Sequence, residues 1–284
     1  MKRAAVILGI LSIAIWAEAG NSGLAAQQNP PAAGQAAPAP AKRPPQTKTQ
    51  QEYDAWKAAA AVTTDPAAAE KAAEDFAAKF PDSEVRVLLY QNAMRLYQNA
   101  NNAEKTDAMG RKVLSLDPDH PEALVAVAGV IAERTRDSDI DKDQRFNEAT
   151  AMARKALQTV DTDISVPQGT PQEKIDVYKA YLRSNAYSIL GAIEFKKENY
   201  AAAQDDLQKA IDAYPSDPAP VDVLRLALVL DKQGKYPEAL KVATRAVEMT
   251  QDNTVIGTPA RRERDRLQQL TGAAPSQPQS PPKN

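Results

Sequence analysis

Between residues 51 and 271 apolar side chains return every three or four positions, in segments cut by Asp-Pro, Pro-Asp or glycine-containing joints. That period predicts amphipathic helices, and no segment shows the apolar-polar alternation of a half-buried strand. The clearest unit covers residues 184–217. Tyr187, Leu190 and Gly191 fall on one helix, Glu198-Asn199-Tyr200 makes a turn, and Ala203, Leu207 and Ala210 fall on the next, before Pro215. Gly191 and Ala203 lack bulk where two helix axes would cross, and Leu207 and Ile211 fill the space beside them. A second copy covers residues 220–253, with Leu226-Ala227, a turn at Gly234 and Tyr236, then Ala239, Ala243 and Ala246.

This order of large, small and closing residues resembles the tetratricopeptide repeat. The second copy departs from that pattern at Ala227, where glycine is expected, and at Gln251, where a closing proline is expected. Upstream the phase persists in weaker form. One hairpin carries Tyr90, Met94, Tyr97 and Val113, and another carries Leu124, Val127, Ile131, Ala149 and Ala153. The earliest carries Tyr53, Trp56 and Phe76. The resemblance implies an all-α solenoid of about five hairpins. Thr258-Pro259 then starts a capping helix whose charges, from Arg261 to Arg266, are expected on its outer face. Insertions at residues 133–145 and 161–169 break the period, and the second leads into a helix longer than a repeat needs. Its extra turns are expected to pack on the preceding hairpin and to divide the array into two halves.

The two ends read differently. Lys2 and Arg3 precede an apolar run over residues 4–16, followed by small residues, the order of a secretory signal. The run is shorter than the roughly 20 apolar residues that span a bilayer. Residues 1–26 are therefore expected to be removed on export, after Ala19 or, by preference, Ala25, leaving no integral membrane span. Residues 27–50 are rich in Pro, Ala and Gln and read as a disordered linker, with Lys42, Arg43 and Lys48 merely keeping it solvated. The tail, residues 272–284, reads the same way. An exported bacterial protein, in the periplasm or outside the cell, is the expectation.

Composition narrows the function. The formal charge is −2, from 35 basic and 37 acidic side chains, so no global field favours nucleic acid or an anionic membrane. With no cysteine there is no disulfide, thiolate nucleophile or thiolate metal site. The one histidine, His120, lies between Asp119 and Pro121, ordinary turn composition ahead of a helix. No glycine-rich phosphate loop, nucleophile elbow or paired-histidine helix occurs. One acidic run invites a calcium loop: Asp137, Asp139 and Asp141 alternate, and Glu148 takes the twelfth place. Lys142 stands where that loop needs glycine, so a solvated acidic insertion is the preferred reading, with no metal and no cofactor expected.

Tetratricopeptide arrays bind peptides or partner proteins in a groove lined by the first helix of each hairpin, and the resemblance implies the same here. On the repeat phase the groove candidates are Gln91, Arg95, Gln98, Asn185, Ser188, Phe195, Lys196, Leu224 and Leu228, with Phe195 and Arg95 as anchors. The expectation is a non-catalytic interaction scaffold of the bacterial cell envelope, with a protein or peptide partner. An accessory subunit of an envelope enzyme complex is the alternative, and an envelope polysaccharide enzyme the remoter one.

Overall fold

The computed structural model describes residues 42–164, 166 and 169–272. Among these, eleven helices and no strand form. The first four are α1 (Gln50–Ala60), α2 (Pro66–Lys79), α3 (Arg86–Asn99) and α4 (Ala103–Leu116). Next come α5 (Pro121–Arg134), α6 (Lys142–Thr159), α7 (Gln172–Lys196) and α8 (Tyr200–Ala213). The last three are α9 (Pro220–Lys232), α10 (Tyr236–Glu248) and α11 (Gly257–Thr271). Consecutive helices pack pairwise, giving five hairpins closed by α11, an all-α solenoid as the sequence period predicts.

Local chemistry sets the boundaries. Thr49, Asp65 and Asn102 accept first-turn amides of α1, α2 and α4, and proline opens α2, α5 and α9. Three hairpins turn in the same way. Asn101, Glu198 and Gly234 each adopt a left-handed backbone, with φ of 54°, 60° and 73°. The following amide then donates back to a carbonyl five residues earlier: Asn102 to Tyr97, Asn199 to Glu194, and Lys235 to Leu230.

Small residues let the helices approach. Ala149, Ala153, Ala203, Ala210, Ala239, Ala243 and Ala246 have no exposed surface. A Cβ on Gly191 would stand 2.7 Å from Leu207 Cγ, and one on Gly110 would stand 2.5 Å from Val127 Cγ2. The buried apolar residues form three clusters, not two halves. Helix α7 joins two of them, giving Ile189, Leu190 and Ile193 to the middle cluster and Phe195 to the last.

First helices of neighbouring hairpins approach one another, α1 to α3, α5 to α7 and α7 to α9, whereas second helices do not approach each other comparably among the described residues. This places the first helices on the inner face.

Two regions differ from expectation. Residues 42–49 run along the first three hairpins instead of standing off as a linker. The Lys42 amide donates to Thr162 O, and its ammonium pairs with Asp117 and, at 3.6 Å, Asp163. Arg43 meets both oxygens of Glu84 at 2.8 Å, and Lys48 Nζ donates to Asp82 O. No local pattern in the chain signals these partners, because they lie in turns of other hairpins. On α11 the charges do not all face outward: Glu263 is buried, and Arg266 pairs with it and, at 2.5 Å, with Asp231 on α9. Residues 1–41 and 273–284, which include the expected signal and most of the expected tail, lie outside the described residues. Among the described residues, no helix is long and apolar enough to cross a membrane.

Candidate protein-binding face

The inner face is built on charge. Glu122, in the first turn of α5, accepts from Arg95 Nε at 2.5 Å, Arg95 Nη2 at 2.7 Å and Gln91 Nε2 at 2.5 Å, so α3 is tied to α5. Arg95 Nη2 also donates to the Tyr178 hydroxyl at 3.2 Å, which brings in α7. Burial alone would raise the Glu122 pKa, but the Arg95 guanidinium outweighs it and holds the carboxyl at about 2. Burial, with Glu122 adding to it, keeps the Tyr178 hydroxyl neutral, well above its ordinary range. Arg95 and Glu122 side chains are only 24% and 13% exposed.

Further along, Ser188 on α7 donates to Asp222 Oδ1 on α9 at 2.6 Å, and Arg225 lies 3.6 Å from the same oxygen. Asp222 is buried, and burial pushes its pKa up. Lys196 Nζ donates to Ala132 O and Thr135 O at the C-terminal end of α5 and lies over the Phe146 ring.

The groove candidates therefore divide. Gln91 and Leu224 are buried, 5% and 6% exposed, and cannot serve as contact surface. Arg95 is consumed by Glu122 and Tyr178, so the guanidinium expected to anchor a partner holds the scaffold instead. Phe195, the other anchor, packs with Tyr200 at 6.1 Å and, like Leu228, rests partly buried against the last cluster. Ser188 and Lys196 are half-buried and hydrogen-bonded. Asn185 is half-buried, and Gln98 is exposed. Glu122, Tyr178 and Asp222 are the residues that sequence reasoning missed. First-turn acids read as ordinary helix starts, and Tyr178 reads as packing.

The acidic run is not arranged as a calcium loop. Helix α6 begins at Lys142, so Glu148 sits well inside a helix rather than at the end of a loop. Glu148 pairs with Arg111 at 2.8 Å, Asp137 with Lys142 at 3.7 Å, and Asp139 with Arg145 at 3.3 Å, while Asp141 is exposed. Among the described residues no three acidic or histidine side chains converge on a metal position. His120 is buried as the N-cap of α5, where Nδ1 accepts from Ala123 N at 3.3 Å, and burial lowers its pKa.

No family model and no curated protein matches the chain. Several solved structures share the helical architecture. YrrB, a tetratricopeptide protein with an unusual peptide-binding site, is 18% identical, covering 70% of this chain and 85% of its own, with a TM-score of 0.45. TTC0263, a thermophilic tetratricopeptide protein of Thermus thermophilus, is 12% identical, covering 75% and 98%, with a TM-score of 0.46. MamA is 18% identical, covering 66% and 88%, with a TM-score of 0.40. Identity and TM-scores this low decide nothing about function. The class rests on the hairpins themselves: this is an all-α solenoid of five tetratricopeptide-like hairpins with a C-terminal capping helix.

Proposed function

We propose that this chain is a non-catalytic scaffold that binds a protein or peptide along the inner face of its solenoid. One observation carries the reading. The first helices are cross-linked side chain to side chain, α3 to α5 and α7 through Arg95, Glu122 and Tyr178, and α7 to α9 through Ser188 and Asp222. A face fixed in this way loses little conformational entropy when a partner docks on it. Gln98, Asn185 and the exposed part of Phe195 supply its contact chemistry. The lone histidine is committed to a helix cap, which favours binding over proton-transfer catalysis. Export to the cell envelope, with loss of the first 19 or 25 residues, belongs to the same proposal and rests on the charged start and short apolar run.

The test compares partner capture by the wild type, by Gln98→Arg/Asn185→Arg on the inner face, and by Arg154→Glu on the outer surface. Inner-face changes are expected to abolish capture and the outer change to leave it. The reverse pattern would overturn the inner-face assignment. Intact mass of the native protein reads the export step, and retention of Met1 would refute it.

A further inference from the structure

Helix α7 has 25 residues and its hairpin partner α8 has 14, so the first turns of α7 overhang the end of α8. Under the overhang lies a cleft of about 440 Å³. Val177 and Ala180 of α7 form one wall, and Ala213, Tyr214 and Pro215 form the other. Val177 is 45% exposed, a large apolar side chain left uncovered by its own fold. The Tyr214 ring stands edge-on to Tyr181, with centroids 6.3 Å apart at 82°, which fixes its orientation.

Glu173 and Asp176 complete the lining on the α7 side, both exposed. No ion pair engages either among the described residues, and Asp176 accepts only from the Gln172 amide. Most other acids beside α7 are matched: Asp161 takes Lys179 and Arg183, and Glu122 takes Arg95. The cleft thus combines ring and aliphatic surface with two uncompensated carboxylates.

That combination selects its occupant. A polyproline-type segment has no internal hydrogen bonds and lays flat ring surfaces on aromatic and proline walls. A Lys or Arg beside those prolines would reach Glu173 and Asp176 in a charge-assisted hydrogen bond. An acidic segment would be repelled. We propose that this cleft binds an extended, cationic, proline-containing segment of a partner protein. The proposal rests on the scaffold reading for its class of partner but uses a surface at the edge of the array, apart from the inner face.

The test titrates the full chain into a fluorescein-labelled peptide Gly-Ala-Pro-Lys-Pro-Arg-Pro-Ala and follows anisotropy. The wild type is expected to bind saturably, Glu173→Lys/Asp176→Lys and Val177→Lys each to weaken binding at least tenfold, and a peptide with Glu in place of Lys and Arg not to bind. All three positions are exposed, so circular dichroism is expected to be unchanged. The inner-face variant Gln98→Arg is expected to bind the peptide normally. The cleft assignment is overturned by an absence of saturation up to about 1 mM peptide, by rim variants within twofold of wild type, or by equal binding of the acidic peptide. Loss through the inner-face variant alone would overturn the cleft and leave the scaffold reading standing. Two further results would reject a partner segment. Tenfold tighter peptide binding after deletion of residues 27–41 would give the cleft to the chain's own proline-rich segment. A dimer that dissociates in the rim variants would give it to a second copy.

Discussion

Replacing Glu122 by glutamine keeps the shape of the inner face and removes the charge that Arg95 was paired with. The carboxylate takes three donated hydrogen bonds, two from Arg95 and one from Gln91, at 2.5–2.7 Å. Its pKa of about 2 against an ordinary 4.5 corresponds to about 3 kcal/mol of stabilisation, at 1.36 kcal/mol per pH unit. Removing one partner of a buried pair costs about 3–5 kcal/mol, because the surviving charge is left uncompensated. Both routes give a similar size, so urea unfolding at pH 7, followed by circular dichroism, is expected to show Glu122→Gln about 3–5 kcal/mol less stable. The pH dependence has a defined sign. A carboxyl with a lowered folded-state pKa contributes fully above 4.5, and that contribution is lost as pH falls toward 2. The wild type should lose it over that window and the variant should have none of it to lose. The double variant Arg95→Met/Glu122→Leu is expected to recover most of the deficit, since apolar replacements carry no desolvated charge. A cost below about 1 kcal/mol for Glu122→Gln, or superimposable acid profiles, would refute the claim that this pair holds the face together.

Gly191→Val is expected to lose about 1–3 kcal/mol in thermal melts through collision with Leu207, whose backbone amide would also lie 3.1 Å from the new Cβ, and an unchanged melt would mean the crossing is looser than it stands. Glu198→Gly should gain about 1 kcal/mol, because Glu198 holds a left-handed backbone at φ 60° that glycine adopts without penalty, and destabilisation would show that the side chain contributes there. Lys42→Ala/Arg43→Ala removes pairs whose cations are 45% and 59% exposed, so each is worth under about 1 kcal/mol. The readout is trypsin cleavage after Lys48, expected to accelerate as residues 42–49 lift, and an unchanged rate would show that these ions do not hold the segment.

Five hairpins, the long α7 and the cap were legible because each leaves a local mark: a helical period, a proline start or a small residue at a crossing. Gly191 opposite Leu207 was readable from spacing alone. Exposure on the inner face was not. Period tells which side of a helix is polar, but not that Arg95 meets Tyr178, 83 positions away, or that α5 supplies Glu122 between them. The alternating aspartates raised a calcium alternative for a related reason. Their spacing fits a loop, and only the start of α6 at Lys142, followed by the pairing of Glu148 with Arg111, decides that the segment is helical from there on. Lys42 and Arg43 read as solvating charges because their acids lie 75 and 41 positions downstream.

Residues 42–49 and the Arg95–Tyr178 bond also bear on how the chain comes apart. In an array where each unit touches only its neighbours, ends fray independently and the middle melts last. Here Lys42 fastens the segment ahead of the first hairpin to the third hairpin, and Tyr178 fastens the fourth to the second. These ties skip a unit, so the first four hairpins are expected to open more nearly together than units coupled only to their neighbours. The tie from Asp231 to Arg266 joins only the fifth hairpin to its cap. Hydrogen exchange should therefore begin at α9, α10 and α11, and slow abruptly on crossing into α8, a step in protection where a uniform array would show a gradient.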